Sequence, residues 1–379
     1  MKNTIYRYFF KEFISLFALI LISISIVVWV VQAVNYLDLV TEDGHSFGVY
    51  FTFSFLNIPK VISRLIPFVF LVTLFFTILQ FEKNNELLIF WTSGLNKIQF
   101  VNLAIIISIL ITLLQLILAS TISPLSLSAG RSALKSSDIG LFSSLLKEKK
   151  FNDTVTDLTV FVETKKNNGE MLNIFLRDDT SSIDQSKTII AKKGIIKKKN
   201  ERNILVLYNG TIQTEKKNNK INFLHFDKTE INLSSFVTKT TTFPKFQERS
   251  SLSLLSCFSA FKNKLNLPKK YYMEEIRCKN KVELLIELNR RFGMPFYIPI
   301  ISLIICYLLS SRKESKYFYL QKYIVFVAAF IILILAEIMI RYSGKSGFNS
   351  TIYYIFPPSL ILLNYLNLIR IFKFENLAR

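Results

Sequence analysis

Residues 81–98 of the chain read FEKNNELLIFWTSGLNKI and join two long hydrophobic segments. The stretch begins too polar to cross a bilayer and is too apolar in its middle to be a solvated turn. Its pattern from Glu86 to Trp91 predicts one short amphipathic helix, and Gly94 lies where that helix should end, because glycine adopts the left-handed conformation at little cost. A short helix between two membrane spans offers a surface on which another protein can dock.

The composition on both sides of this connection is that of a membrane protein. The chain is 51% hydrophobic and contains 35 phenylalanines, which excludes an ordinary soluble protein of 379 residues. Several runs exceed the roughly 18 apolar residues that a helix needs to cross the hydrocarbon. Each run can satisfy its own backbone only as a helix. The six predicted spans are residues 13–35, 55–81, 98–123, 292–311, 319–342 and 352–372.

The distribution of lysine and arginine predicts how these spans are oriented. Short connections at one face are rich in basic residues, whereas connection 36–54 has none and connection 343–351 has only Lys345. The positive-inside rule then places both termini in the cytoplasm and the long segment 126–290 outside. The basic residues of the cytoplasmic face are Lys2, Arg7, Lys11, Lys83, Lys97, Arg312, Lys313, Lys316, Lys322, Arg370, Lys373 and Arg379.

The external segment is predicted to fold as an all-β domain with helical flanks. Its hydrophobic period is close to two, and its short runs rich in β-branched and aromatic residues indicate a sandwich, a jelly roll or a half-open barrel. The predicted strands are Thr156–Glu163, Met171–Asp178, Thr188–Ile196, Asn203–Thr214 and Ile221–Leu233. The predicted organisation is therefore residues 1–125 with three spans and the connecting helix at about 84–95, residues 126–290 with the β-domain, and residues 291–379 with three further spans.

No group of residues in the sequence predicts catalysis, a metal site or a cofactor. His45 and His225 are far apart, and residues 343–347, SGKSG, lack the first glycine of a phosphate-binding loop. Any ATP hydrolysis is therefore expected on another chain. The net charge of +20 lies mostly in the external segment, where nucleic acid is not an expected partner. Cys257 and Cys278 also lie there, but two cysteines define no framework and the sequence leaves their pairing open.

Basic residues at the predicted external ends of the spans are candidates for a site that binds an anionic lipid headgroup. They are Lys60 and Arg64 at the start of span two, Arg290 and Arg291 at the start of span four, and Arg341 on span five. Glu337 lies four residues before Arg341, so the two share a helical face and can pair. The alternative is that these bases only snorkel to the membrane interface. A lipid site between this chain and its partner would need an apolar wall, for which spans one, two and five offer Val30, Phe68, Phe70, Leu71 and Ile338.

Several motifs in these regions resemble the LptF/LptG family of lipopolysaccharide export permeases. They are Ile58-Pro59 and Leu65-Ile66-Pro67 before span two, residues 86–95, residues 173–178, 190–194 and 207–210, and residues 287–295. Residues 287–295 resemble the LptF pattern more than the LptG pattern. The resemblance implies an α-helical protein of the bacterial inner membrane with six transmembrane helices and an inserted periplasmic jellyroll-like domain. It also implies a heterodimer with a second LptF/LptG-type permease, a dimer of cytoplasmic ABC ATPase subunits, and transfer of lipopolysaccharide to periplasmic jellyroll bridge proteins.

The resemblance assigns Glu86 as the carboxylate of the coupling helix, and this assignment together with the pattern of that helix gives six residues predicted to couple the permease to the ATPase. They are Glu86, Leu87, Ile89, Phe90, Trp91 and Gly94. Glu86 would bond a basic residue of the ATPase, and the apolar side chains would fill its groove. Arg341 matches a basic position at the external end of span five. Span one departs from the family pattern, because it has polar uncharged residues near its external end where family members often have lysine or arginine.

The sequence is also compatible with two other functions. The first is a permease of another ABC system that extracts lipids or lipoproteins, although many such permeases carry their large external domain after span one. The second is a membrane sensor or scaffold with a ligand-binding β-domain, which would need no docking helix at residues 82–98. The sequence does not decide between the LptF and LptG types or identify the form of lipopolysaccharide carried.

Overall fold

The computed structural model describes residues 2–41, 45–145, 148–155, 158–166, 170–179, 185–199, 202–216, 221–232, 245–263, 281–310, 318–345 and 347–377. The chain divides into two compact units. The first unit contains Met1–Val30, Asn57–Leu127 and Lys245–Arg379, and the second contains Val31–Leu56 and Ser128–Pro244. Cys278 lies outside the described residues. Cys257 is buried and disulfide-bonded, whereas Cys306 is a free cysteine.

The helices of the described chain follow the hydrophobic segments of the sequence. They are α1 (Lys2–Asn35), α2 (Asp38–Thr41), α3 (Phe47–Leu56), α4 (Ile58–Lys83), α5 (Glu86–Thr92), α6 (Lys97–Ile117), α7 (Ser123–Leu145), α8 (Ser251–Asn263), α9 (Lys281–Leu288), α10 (Tyr297–Cys306), α11 (Phe318–Ser343) and α12 (Gly347–Leu377). A π-helical turn at Leu118–Ile122 joins α6 to α7. A second π-helical turn at Asn289–Gly293 follows α9, and a 3-10 turn at Met294–Phe296 leads into α10.

Six helical segments of the described chain are long and apolar enough to cross a membrane, as the sequence predicts. They are Asn3–Thr41, Phe47–Lys83, Lys97–Leu134, Lys281–Ser310, Tyr319–Ser343 and Phe348–Lys373. Most extend beyond the predicted runs, because helical hydrogen bonding continues into the polar residues that flank a hydrophobic segment.

Helix α10 lies at the centre of the first unit. All ten of its residues are buried, and it packs against α4, α6, α11 and α12. A helix that is apolar on every face is expected in such a central position. Close approach is needed just before it, where a Cβ atom on Gly293 would lie 2.2 Å from Cε1 of the fully buried Tyr353. Small residues at such crossings let membrane helices pack tightly.

The second unit contains an antiparallel sheet of six strands within the described residues. The strands are β1 (Phe151–Val155), β2 (Leu158–Lys165), β3 (Glu170–Asp178), β4 (Gln185–Lys199), β5 (Arg202–Lys216) and β6 (Ile221–Asn232), and each pairs with its neighbours in sequence. The five predicted strands correspond to β2–β6. Strand β1 was not predicted, because Asn152 and Asp153 in its centre are residue types that strands disfavour.

Two asparagines change which side chains point into the sheet's apolar core. Asn173 in β3 and Asn209 in β5 have φ values of 49° and 50°. Ala191 of β4 pairs with Ile174 on one side and with Gly210 on the other, so the two asparagines lie on one line across the sheet. Alternation is interrupted at this line, since Met171 and Ile174 are both buried although they are three residues apart. The dipeptide Asn209-Gly210 therefore lies within a strand and does not form a hairpin turn.

Candidate functional site

The predicted docking helix and the predicted basic residues lie at opposite ends of the first unit. Helix α4 runs from Ile58 to Lys83 over 26 residues, about 39 Å at the usual helical rise, and Lys60 lies near its start. Helix α5 follows its end at Lys83. The start of α4 meets the end of α6, where the side-chain nitrogen of Gln115 donates to the carbonyl of Ser63 at 3.2 Å.

A cavity of about 350 Å³ opens at the end of the first unit where α4 begins and α6 ends. All five basic residues proposed from the sequence line it, although they come from three separate spans. The lining residues are Lys60, Ser63, Arg64, Gln115, Ala119, Ser123, Leu127, Gln247, Glu287, Arg290, Arg291, Met294, Glu337 and Arg341. Both π-helical turns contribute to the wall, and such turns are frequent at functional sites. With five basic and two acidic residues, the wall has an excess of positive charge.

Lys60, Arg64 and Arg341 are exposed to solvent to different degrees. Arg64 and Arg341 are exposed, and Lys60 is half-buried. Among the described residues, Arg341 and Lys60 make no hydrogen bond or ion pair. The predicted pair between Glu337 and Arg341 is therefore not formed. Glu337 instead bonds Nη2 of Arg290 at 3.1 Å, because the guanidinium from span four reaches across to α11.

Arg291 differs from the other bases because the protein uses all of its donors. Its Nε–H donates to Glu287 at 3.0 Å, and its two terminal nitrogens donate to the carbonyls of Phe246, Gln247 and Arg249 and to the hydroxyl of Ser251. A guanidinium has five N–H donors, so none is left for a lipid phosphate. The side chain is 2% exposed. Arg291 therefore anchors residues 246–251 to span four. It has no N–H donor left for the lipid contact that the sequence predicts.

The apolar wall of this cavity consists of residues other than those predicted for a cavity between this chain and its partner. Phe70 and Leu71 are fully buried in the core of the first unit, and none of the five predicted wall residues lines the cavity. Ala119, Leu127 and Met294 form the apolar wall instead. Gln115 was not predicted to line the cavity, although a glutamine within an apolar span is costly and for that reason signals a polar environment.

Helix α5 has the bounds that the sequence predicts to within one residue. It begins at Glu86 and ends at Thr92, and Gly94 has a φ of 84°. The amide of Leu95 donates to the carbonyl of Phe90, and that of Gly94 donates to Trp91, both at 3.2 Å. This hydrogen-bond pair defines a Schellman ending, which requires the left-handed residue that glycine supplies.

The most exposed apolar side chains of α5 coincide only in part with the predicted groove-filling residues. Leu87 and Phe90 are buried, and Phe90 packs against Phe81 with ring centroids 5.7 Å apart. Trp91 packs against the same core. Leu88 and Ile89 are 63% and 61% exposed. The groove-filling set therefore stays a prediction. Leu87, Phe90 and Trp91 pack onto their own bundle, whereas Ile89 is exposed together with Leu88, which was not predicted.

Glu86 has one bonded and one unbonded carboxylate oxygen. Oε1 accepts a hydrogen bond from the side chain of Asn84 at 3.0 Å. Oε2 is buried and has no partner in hydrogen-bond geometry within the described residues, although the phenol of Tyr8 lies near enough to form a side-chain hydrogen bond with the Glu86 carboxylate. An unpaired carboxylate oxygen is costly inside a protein, so this side chain would gain from a donor that a partner supplied.

Comparison with known proteins identifies the family of the chain. A family model described as the lipopolysaccharide export system permease LptF/LptG matches residues 7–371. The chain belongs to the LptF/LptG family. It is also 26% identical over 298 residues to a protein of Rickettsia prowazekii (strain Madrid E) named uncharacterized protein RP871, with 77% of each chain covered.

Membership of the LptF/LptG family confirms the resemblance that the motifs carried. It gives the chain a family-level role as a lipopolysaccharide export permease, a transport component of a multi-pass membrane system. The two positions that the LptF/LptG pattern assigned, Glu86 and Arg341, lie at the two ends of the first unit described above.

We expect Arg291 to be required for stability. Replacing it with leucine would remove a donor from the carbonyls of Gln247 and Arg249 and from the hydroxyl of Ser251, and it would remove the buried partner of Glu287. Breaking a buried ion pair from one side costs roughly 3–5 kcal/mol. The melting temperature of the purified full chain should fall strongly for Arg291→Leu.

The matched control is Arg341→Gln, because Arg341 is exposed and such changes usually stay within about 0.5 kcal/mol. Equal melting temperatures for the two variants would show that the Arg291 hydrogen bonds are not structural.

Proposed function

We propose that this chain is a permease subunit of an ABC transporter that extracts lipopolysaccharide from the inner membrane and passes it to a periplasmic bridge. It would act with a second LptF/LptG-type permease and a cytoplasmic ABC ATPase dimer, which would supply the ATP hydrolysis. The observation that carries the proposal is the position of a basic cavity and an exposed docking helix at opposite ends of one helical bundle in a chain of this family.

The cavity suits the phosphorylated headgroup of lipid A. Arginine and lysine form charge-assisted hydrogen bonds with phosphate, which are stronger than neutral ones. A volume of about 350 Å³ accommodates a phosphate with part of a sugar, but not the acyl chains. The acyl chains and the rest of the headgroup would therefore lie against the partner permease and the exposed outer faces of the spans.

The opposite end suits a docked ATPase. Leu88 and Ile89 present two adjacent exposed apolar side chains, and Glu86 at the helix start carries an unbonded oxygen. A basic residue of the ATPase would supply the missing donor once the Glu86 side chain turned outward. In this proposal Glu86, Leu88 and Ile89 make the contact, while Leu87, Phe90, Trp91 and Gly94 hold the helix in place.

The proposed orientation has both termini in the cytoplasm and the sheet in the periplasm. The bias of lysine and arginine toward the α5 end supports it. The disulfide-bonded Cys257 supports it independently, because disulfides persist in oxidising compartments. Within the periplasm we propose a jellyroll-like domain in the intact assembly.

Edge pairing would connect this domain to the bridge proteins. Strand β6 is an edge of the described sheet, and Ile221, Phe223 and Leu224 on it are more than half exposed. An exposed apolar edge is a ready site for the addition of a strand from another β-protein.

Co-purification tests this assignment. A tagged full-length chain isolated from its native membranes is expected to bring with it a second permease, an ABC ATPase and lipopolysaccharide. A photo-crosslinker at Phe223 should capture a periplasmic β-protein or lipopolysaccharide, whereas one at Ile89 should capture the ATPase. Crosslinks from Phe223 to cytoplasmic proteins would refute both the orientation and the function.

A further inference from the structure

The two acidic residues of the cavity are held very differently. Glu287 is buried and is bonded to both Arg290 and Arg291. The side chain of Glu337 is 43% exposed, and its one ion pair within the described residues is with Arg290. Glu287 is therefore fixed by the fold, while Glu337 can exchange its partner.

Arg290 is the base for which Glu337 and a ligand would compete. Its side chain is 24% exposed, with Nη1 3.7 Å from Glu287 and Nη2 3.1 Å from Glu337. A guanidinium binds a carboxylate or a phosphate with the same planar set of donors. The carboxylate of Glu337 thus occupies a position on Nη2 that a phosphate oxygen would need.

We propose that Glu337 is a built-in counter-ion, which pairs with Arg290 while the cavity is empty and is displaced by the phosphate of an anionic lipid headgroup. This inference rests on the proposed function. Arg341 lies one helical turn beyond Glu337 and has no partner among the described residues. Because residues four apart on a helix are neighbours, Arg341 can receive the carboxylate that the phosphate releases.

This exchange has two physical consequences. Without an anion, the ion pair keeps Arg290 extended into the cavity instead of folded back toward the membrane interface. With an anion, the ligand must replace an existing ion pair, which lowers its net affinity and so favours release of the cargo. Glu337 is thus a positioning residue for Arg290, and its effect should be confined to ligands that carry a negative charge.

The test compares two probes on the full-length chain, assembled with its partner subunits in phosphatidylcholine nanodiscs. The probes are lipid A with both phosphates and the same lipid A after enzymatic dephosphorylation. Glu337→Gln should bind phosphorylated lipid A about fivefold more tightly, the size expected for removing one partly exposed ion pair. Its affinity for the dephosphorylated probe should not change. Glu337→Asp, which keeps the charge, should behave more like the native chain.

Two further variants make the result specific. Glu283→Gln removes an exposed carboxylate that does not line the cavity, and it should leave both affinities unchanged. In an Arg290→Gln background, the gain from Glu337→Gln should fall below half its size, because there is no longer a base to release.

The outcomes separate this inference from the proposed function. A native complex that binds the two probes equally would refute the assignment of the cavity and the counter-ion with it. A native complex that prefers the phosphorylated probe, with no difference in Glu337→Gln, would overturn the counter-ion alone. A gain of equal size for both probes would overturn it as well, since that result would indicate a general structural effect.

Discussion

Replacing Leu88 and Ile89 together with aspartate is expected to release the ATPase from the membrane complex. Both side chains are more than 60% exposed on helix α5, and burial of each against a partner is worth roughly 2 kcal/mol. Aspartates in an apolar groove would also be desolvated without partners. We therefore expect at least about a hundredfold weaker association, measured by co-purification and by titration of the ATPase onto the reconstituted permease.

Two controls separate docking from folding in this experiment. Leu252 is 80% exposed and lies on α8 at the cavity end of the bundle, so Leu252→Asp should not affect the ATPase. Phe90→Ala should instead lower the melting temperature, because it opens a cavity in a packed core at a cost of about 3–5 kcal/mol. Retention of the ATPase by the Leu88 and Ile89 variant would show that α5 is not its docking site.

Glu86→Ala is expected to have a smaller effect on the ATPase contact than the double aspartate variant. If the carboxylate bonds the ATPase, this variant should weaken ATPase binding or uncouple ATP hydrolysis from lipopolysaccharide transport. Full assembly with full transport would mean that Glu86 serves only to hold Asn84 at the start of the helix.

Neutralising Lys60, Arg64 and Arg341 together should abolish most of the stimulation of ATP hydrolysis by lipopolysaccharide. Arg64 and Arg341 are exposed and Lys60 is half-buried, whereas Arg290 and Arg291 are held in ion pairs with glutamates. Hydrogen bonds to charged groups contribute about 1.5–3 kcal/mol each, so the triple glutamine variant should bind lipopolysaccharide at least about tenfold more weakly. Basal hydrolysis should persist, because the ATPase contact lies at the other end of the bundle.

The matched control removes the same amount of charge elsewhere. Lys192, Lys193 and Lys197 are exposed on strand β4, and their triple glutamine variant should be stimulated as the native chain is. Normal stimulation of the Lys60, Arg64 and Arg341 variant would mean that these bases only anchor the helices at the membrane interface.

Hydrophobicity alone was sufficient to locate the membrane spans. A helix in lipid must satisfy its own backbone, so a long apolar run has one solution and its position can be read from the sequence. The same local character made Glu86–Thr92 predictable, since the turn signals and Gly94 act within the helix itself. Five strands were also predictable from alternation, although β1 was not, because only pairing with β2 makes residues 151–155 a strand.

The use of each side chain, in contrast, was decided by tertiary packing. The sequence treats Arg290, Arg291 and Arg341 as equivalent bases, but the return of residues 246–251 to span four uses every donor of Arg291 and leaves Arg341 open. In the same way, Leu87, Leu88 and Ile89 are equally apolar, and only the packing of α5 against Phe81 and the bundle core decides which of them faces outward. Local sequence fixes which segments become helices or strands, because those hydrogen bonds are short-range. Which donors and apolar faces are left for a partner depends on contacts between residues distant in sequence, and those form only in the folded protein.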